Sequence, residues 1–230
     1  MIYIFDVDGT LTPSREKIND EFFWWFDDFC GSNEVHLVTG SDYPKTAEQL
    51  GDYLCSKVRT VYNCSGNDVW QKGKRVKTTS FDAPKELYLL MEGWLQGSKF
   101  STRTGNHIEE RPGTINFSIL GRNANPSQRA DYVDYDNQYR ERETIAHIIN
   151  SEFDNITATV GGETGIDIYN TGCDKSQILL DFRPNDKIIF FGDRMDNHGN
   201  DYSLAQANKK GINHHVRNWR HTWEILKGMT

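Results

Sequence analysis

The chain has 230 residues and a net charge of -7, with 37% hydrophobic and 12% aromatic residues. That length suits one large domain or a core with a smaller module, and the aromatic content argues against a disordered chain. The negative balance argues against a protein that binds nucleic acid or an anionic membrane, because such binding needs a basic face. No apolar run is long enough to span a bilayer, and the first residues lack the features of a secretory leader, so we expect a cytoplasmic protein.

The four cysteines lie far apart, at positions 30, 55, 64 and 173. They show no paired spacing such as C-x-x-C, so neither a zinc site nor a disulfide framework is expected. Buried or unreactive thiols in a reducing compartment are the simpler interpretation.

Strand-like and helical patterns alternate along the first 62 residues. Residues 2–6 (IYIFD) are a short apolar run that ends in an acid, and residues 34–38 (EVHLV) and 60–62 are again strand-like. Between them, apolar residues recur at helical spacing over 16–30 and 44–54. This alternation predicts an α/β fold with a doubly wound parallel sheet, in which ligands bind at the carboxyl ends of the strands.

The pattern changes after Asn63 and returns near Asp174. The intervening residues read as an α+β module, with a hairpin leading into it. The predicted elements are hairpin strands 68–71 and 74–78, a helix opening at 81–84, short alternating segments over 100–120, a helical stretch over 126–151 and strands 156–160 and 165–169. A helix from Asp174, a strand over 187–191 and a last strand and helix ending near Leu226 then complete the core. We therefore predict a core domain of residues 1–80 and 173–230 with an inserted α+β cap of residues 81–172.

Asp6 and Asp8 lie two residues apart where the first predicted strand ends. Two such carboxylates attract a divalent metal, and one can attack phosphorus while its neighbour handles a proton. An isolated D-x-D is usually a solvated turn. The apolar strand before this one and the G-T-L-T after it make that interpretation improbable.

Two later segments supply the remaining parts of such a site. Phe191-Gly192-Asp193 is another strand end with an acid, and Asp201 follows in Gly199-Asn200-Asp201. The carboxylates of Asp6, Asp8, Asp193 and Asp201 are therefore predicted to bind Mg²⁺, which prefers oxygen ligands.

A carboxylate nucleophile repels a phosphate dianion, so further positive charge and donors are required. Lys175, at a predicted helix start, and a hydroxyl from Thr39 or Ser41 are the candidates for holding the phosphoryl oxygens. A single lysine at a helix start is ordinarily a surface residue, and its role here depends on the other signals.

In this order, the strand-end D-x-D-x-T, the hydroxyl, the lysine and the G-D element resemble the haloacid-dehalogenase-like phosphotransferases. Within them the chain is most similar to the eukaryotic-type phosphomannomutases, and the similarity extends over nearly the whole chain. The segments that carry it are DVDGTLTPSR at 6–15, GSDYPKTAEQLG at 40–51, RPGTINFSILGR at 111–122, GG at 161–162, DK at 174–175 and FFGD at 190–193.

The resemblance implies a mechanism and a substrate. Asp6 would form an aspartyl-phosphate, with Asp8 as the acid and base and Lys175 as the third catalytic residue. Asp167 would bind sugar hydroxyls, and arginines would bind the phosphate that is not transferred, as Arg's forked geometry suits. The arginines at the matching positions are Arg15, Arg111, Arg122 and Arg129.

By the same resemblance, the enzyme would interconvert mannose 6-phosphate and mannose 1-phosphate for GDP-mannose biosynthesis. It would use Mg²⁺ and a hexose 1,6-bisphosphate activator, bind a small hexose phosphate as its partner, and form a homodimer through the cap.

Two departures from the family pattern keep other functions open. A serine expected two residues before Asp167 is Gly165, and the expected E-N-G after the third strand is Cys64-Ser65-Gly66. A sugar-phosphate phosphatase of the same superfamily is therefore an alternative. A non-catalytic sugar-phosphate-binding protein is a third hypothesis, which the intact Asp6 and Asp8 disfavour.

Overall fold

The computed structural model describes residues 1–197 and 199–229, and the chain divides into two compact units. The core unit comprises Met1–Thr79 and Cys173–Thr230, and the inserted unit comprises Ser80–Gly172.

The core unit alternates strands with helices. Its elements are β1 (Ile2–Phe5), α1 (Asp20–Ser32), β2 (Glu34–Val38), α2 (Tyr43–Lys57), β3 (Thr60–Asn63), β4 (Asp68–Gln71) and β5 (Lys74–Thr78), and, after the insertion, β10 (Ile188–Gly192), α6 (Tyr202–Ala207), β11 (Ile212–His215) and α7 (Trp219–Lys227). Among the described residues, its sheet has seven strands in the order β11-β10-β1-β2-β3-β4-β5. The first five are parallel, and β4 and β5 add the predicted antiparallel hairpin. The predicted α/β class with a parallel sheet is confirmed.

Alternate residues of the central strands enter two different apolar clusters. Phe5, Leu37 and Phe191 belong to one cluster, while Ile4 and Phe190 belong to the other. Because successive side chains of a strand point to opposite faces, the sheet is covered on both sides. This burial explains why β1 and β10 are continuous apolar runs rather than alternating ones.

Helix α1 begins later than the sequence pattern predicts. The Asn19 side chain caps it by accepting a hydrogen bond from the Phe22 N–H at 3.2 Å. Just before the cap, the Ile18 N–H donates to the Gln49 carbonyl at 2.9 Å. That bond ties the preceding segment to α2, so the residues from Glu16 cannot join the helix.

The helix predicted from Asp174 is wrong in type: Lys175–Asp181 is a 3₁₀ segment. The Asp174 side chain accepts from the Ser176 N–H at 2.7 Å, and the Asp174 carbonyl accepts from the Gln177 N–H at 3.1 Å. These short-range bonds select the tighter i to i+3 pattern over an α-helix.

The inserted unit is an antiparallel sheet with helices. Its elements are α3 (Lys85–Gly97), β6 (Ile108–Arg111), β7 (Thr114–Phe117), α4 (Pro126–Tyr139), α5 (Glu141–Glu152), β8 (Ile156–Gly161) and β9 (Gly165–Asn170). The helical stretch predicted over 126–151 is two helices, because Arg140 between them has a left-handed backbone with φ of 53°. Among the described residues the strand order is β6-β7-β9-β8.

One face of this second sheet is apolar and the other is polar. Ile115, Phe117 and Ile168 pack in the core of the inserted unit. Asn116 and Asp167, which alternate with them, point to the opposite face and pair across β7 and β9. Within the described residues, no helix of either unit combines the length and the apolar character needed to cross a membrane.

Phe22 on α1 offers a test of the core. Its buried ring lies 5.6 Å from Phe26, 5.8 Å from Trp219 and 5.4 Å from Trp223, measured between ring centroids. We expect Phe22→Ala to lower the free energy of unfolding by about 3–5 kcal/mol, because it leaves a cavity among these rings. Trp24→Ala on the same helix is the control, since Trp24 is 67% exposed and its loss is expected to change stability by about 0.5 kcal/mol or less. Equal effects in urea unfolding would contradict this packing.

Candidate active site

Three carboxylates meet at the carboxyl edge of the core sheet. Asp6 directly follows β1 and Asp193 directly follows β10, and these strands pair with Phe5 beside Phe191. Asp201 immediately precedes α6. Each of the three offers an oxygen within 4.8 Å of the others. The parallel register therefore brings Asp6 and Asp193 together, and the segment before α6 adds Asp201.

Lys175 joins two of these carboxylates. Its Nζ donates to Asp6 Oδ1 at 2.6 Å and to Asp201 Oδ1 at 2.7 Å. The lysine is 1% exposed. A surface role for Lys175 is thereby excluded, and the residue lies in the predicted site.

Burial and mutual repulsion control the protonation of this group. Burial raises the pKa of Asp6 well above its usual range, with Asp201 and Asp193 adding to the rise while Lys175 opposes it. Burial and the Asp201 carboxylate raise the pKa of Asp193 to about 7. Burial alone would lower the pKa of Lys175, but the Asp201 and Asp6 carboxylates raise it overall. Lys175 is therefore a permanent cation at neutral pH.

The group fits a divalent cation by its donors and its charge. When all three carboxylates are ionised, they and the one ammonium group leave two negative charges in a largely buried space. The hard oxygens of Asp6, Asp193 and Asp201 are the ligand type that Mg²⁺ takes. A bound dication would balance the charge that otherwise favours protonation of Asp6 and Asp193.

Gly9 is required by the approach of Asp193. Its backbone is left-handed, with φ of 77°, and a Cβ at this position would overlap the Asp193 carboxylate. Only glycine satisfies both conditions without strain. The close approach of Asp193 therefore explains why the D-x-D segment is followed by a glycine.

Asp8 lies outside the group of three acids and has its own set of donors. Its Oδ1 accepts from the Arg15 backbone N–H at 2.5 Å and from Gln49 Nε2 at 3.0 Å. Its Oδ2 accepts from Ser41 Oγ at 3.3 Å. The side chain predicted to bind metal beside Asp6 is thus held separately, as suits the acid and base role that the resemblance implies.

The two candidate hydroxyls differ in their surroundings. Thr39 is buried, and its Oγ1 accepts from the Ser41 N–H at 3.1 Å. Ser41 is only partly buried, and its hydroxyl reaches Asp8. Thr39 therefore shapes the turn that presents Ser41.

In the inserted unit, two of the predicted arginines share one carboxylate. Glu109 Oε2 accepts from Arg111 Nε and from Arg122 Nε, each at 3.1 Å. Arg122 Nη1 also donates to Asn116 Oδ1 at 3.1 Å.

The same asparagine extends the network to Asp167. Asn116 Nδ2 donates to Asp167 Oδ1 at 2.7 Å. Asn116 also explains Gly165, because a Cβ there would lie 2.7 Å from Asn116 Nδ2. The serine expected by the resemblance would crowd this amide.

Arg129 pairs with a different carboxylate. Its Nε and Nη2 donate to Glu163 Oε2 at 3.0 and 2.6 Å. The structure therefore does not place Arg129 with Arg111 and Arg122 on Glu109.

Arg15, the fourth predicted arginine, lies in the core unit. Its backbone is left-handed, with φ of 62°, and its backbone N–H donates to Asp8 Oδ1.

Sequence reasoning missed Gln49, Glu109, Asn116 and Glu163. Glu109 and Asn116 had a usable signal, because each lies two positions from another polar residue, Arg111 or Thr114, and so shares that residue's face of the strand. Gln49 had none, since one polar residue in a helix pattern does not reveal a contact with an acid 41 positions away. The roles predicted for the site residues stay predictions.

The family model for eukaryotic phosphomannomutases matches residues 28–230. A phosphomannomutase from Spinacia oleracea is 30% identical over 224 residues, which cover 94% of this chain and 90% of the relative. The phosphomannomutase from Saccharomyces cerevisiae is 29% identical over 235 residues, covering 98% and 92%. Both are compared with this chain over nearly their whole length.

Solved structures share the fold at lower identity. An IMP-bound IMP-nucleotidase from Plasmodium falciparum has a TM-score of 0.65 and 16% identity, with 99% of this chain matched to 66% of that one. The C-terminal domain of trehalose-6-phosphate phosphatase from C. albicans has a TM-score of 0.61 and 16% identity, covering 90% and 72%. These likenesses concern the fold alone. The family model, which spans most of the chain, confirms the predicted resemblance: the chain belongs to the eukaryotic phosphomannomutase family.

Proposed function

We propose that this chain is a phosphomannomutase that interconverts mannose 6-phosphate and mannose 1-phosphate. The observation that carries the proposal is the group of buried Asp6, Asp201 and Lys175 with the partly buried Asp193 in a member of this family. A carboxylate that is held beside a permanent cation at a strand end is suited to accept a phosphoryl group.

The Asp6 carboxylate attacks phosphorus, and the bond from phosphorus to the sugar oxygen breaks. Lys175 limits the rotation of Asp6 by holding one of its oxygens, and it offsets part of the charge that accumulates during attack. Asp8 gives a proton to the departing sugar oxygen. In the second half of the reaction, Asp8 takes a proton from the sugar hydroxyl that attacks the aspartyl-phosphate.

Mg²⁺, held by Asp6, Asp193 and Asp201, would supply positive charge for the transferring phosphate. The arginines of the inserted unit bind the phosphate that is not transferred, and Asp167 binds sugar hydroxyls. In this proposal a hexose 1,6-bisphosphate starts each cycle by phosphorylating Asp6. The homodimer and the cytoplasmic location stay predictions.

The first test uses mannose 1-phosphate with Mg²⁺ and a catalytic amount of mannose 1,6-bisphosphate. We expect mannose 6-phosphate to form, and we expect Asp6→Asn to abolish it because the nucleophile is lost. Asp28→Asn is the control, since Asp28 is exposed on α1. Free phosphate without mannose 6-phosphate would favour the phosphatase alternative, and the same assay with glucose 1-phosphate measures sugar preference.

A second test concerns Lys175. We expect Lys175→Met to lower the rate of Asp6 phosphorylation by about 10²–10³-fold, because it removes a fixed positive charge from the reacting centre. It should also lower the free energy of unfolding by about 3–5 kcal/mol, since it leaves buried carboxylates without their partner. Lys45→Met, which breaks an exposed pair with Glu48, is the control and should change neither quantity. Full activity of Lys175→Met in phosphoenzyme trapping would contradict the proposed role.

A third test concerns Glu163, which forms an ion pair with Arg129 in the free protein. If Arg129 binds the distal phosphate, Glu163 competes for it, and Glu163→Gln should lower the KM for mannose 1-phosphate. A partly exposed ion pair is worth about 0.2–1 kcal/mol, which corresponds to about a 1.4- to 5-fold change. Glu143→Gln, which breaks the exposed pair with Arg140, is the matched control. An unchanged or higher KM in steady-state kinetics would argue that Arg129 does not bind this phosphate.

A further inference from the structure

Gln49 is a buried polar residue of α2 that has no part in the proposed phosphoryl transfer, metal binding or substrate binding. It is 2% exposed. Its Nε2 lies 3.0 Å from Asp8 Oδ1, 3.0 Å from Thr12 Oγ1 and 3.4 Å from the Glu16 carbonyl. One amide nitrogen thus connects α2 with Asp8 and with the loop that follows it.

The neighbours of this amide decide its orientation. The Asp8 carboxylate and the Glu16 carbonyl only accept hydrogen bonds, and the Thr12 hydroxyl donates its own proton to the Val7 carbonyl at 3.4 Å. All three therefore face the NH₂ end of Gln49, whose two hydrogens can be donated to two of them at a time. Its Oε1 is buried and has no hydrogen-bond partner among the described residues. A buried carbonyl without a partner costs free energy, so the contacts made by Nε2 must hold the side chain in place.

The amide also distinguishes the two oxygens of Asp8. Oδ1 already accepts from the Arg15 N–H and the Gln49 amide, which occupy its two lone-pair directions. Oδ2 accepts only the longer contact from Ser41 Oγ among these donors. Oδ2 is therefore the Asp8 oxygen with the greater remaining capacity to meet a substrate oxygen.

We propose that Gln49 is a positioning residue for the proton transfers of this reaction. It holds Asp8 so that Oδ2 gives its proton to the sugar oxygen as the phosphorus–oxygen bond breaks. The same oxygen then takes the proton of the attacking hydroxyl as the aspartyl-phosphate is consumed. Gln49 acts through Asp8, and the inference rests on the proposed role of Asp8 as acid and base.

The test compares two phosphoryl donors in Gln49→Met, which keeps the length of the side chain and removes its donors. Mannose 1,6-bisphosphate has a sugar leaving group that needs a proton, whereas p-nitrophenyl phosphate has a leaving group that departs as an anion. We expect the rate of Asp6 phosphorylation by the bisphosphate to fall by about 10- to 100-fold, which is part of what general acid–base catalysis contributes. The rate with the aryl phosphate should fall by less than about 3-fold, since no proton transfer is lost.

Thr46→Val is the matched control. Thr46 is buried on the same helix, and its hydroxyl bonds to Asn63 Oδ1 at 2.8 Å and to the Asp42 carbonyl at 3.1 Å without touching Asp8. It should change both rates by the same factor. An equal loss on both donors in Gln49→Met, or the same selectivity in Thr46→Val, would overturn the proposal.

A second variant covers the case in which Gln49→Met does not fold. Gln49→Asn keeps the amide but shortens its reach, and we expect it to show the same selective loss on the bisphosphate. Failure of the mutase function is distinguishable from failure of this inference. A wild-type chain that forms no mannose 6-phosphate would refute the mutase, while the comparison of the two donors still measures what Gln49 does for Asp8.

Discussion

The active-site edge of the core unit depends on the balance between Lys175 and the three carboxylates of Asp6, Asp193 and Asp201. Removing carboxylates from water is costly, and placing three of them within a few ångströms adds repulsion. Lys175 neutralises one of the three carboxylate charges through two short hydrogen bonds. The negative charge that remains favours the binding of a divalent cation. The same electrostatics that make the group costly to bury make it suited to handling phosphate.

The sheet makes this arrangement possible because it is parallel and covered on both faces. Parallel register places the ends of β1 and β10 side by side, and apolar clusters cover both faces of these strands. Asp6 and Asp193 directly follow these two strands, and the Asp6 N–H donates to the Phe191 carbonyl at 2.9 Å, so backbone pairing positions this edge. Asp201 comes from the segment before α6, where its N–H donates to the Arg194 carbonyl at 3.1 Å. Gly9 then allows Asp193 to approach the turn closely.

In the inserted unit the charges are reversed: cationic arginines are the predicted ligand-binding groups, and carboxylates neutralise them. Its predicted phosphate-binding arginines carry carboxylate partners in the free protein, Glu109 for Arg111 and Arg122 and Glu163 for Arg129. A phosphate that binds there must compete with these carboxylates. If these arginines bind phosphate as proposed, Glu109 and Glu163 would weaken that binding.

The sequence by itself determined the α/β class, the acids at the strand ends and the family, because these depend on local patterns and on motifs that are contiguous in the chain. It also pointed to Lys175 and the arginines through the resemblance. Only the tertiary structure decided that Asp8 is held apart from the other acids, that Asn116 fills the space beside Gly165 and that Gln49 supports Asp8. These are contacts between residues distant in sequence, and no local periodicity encodes which side chains meet when a sheet and its helices assemble.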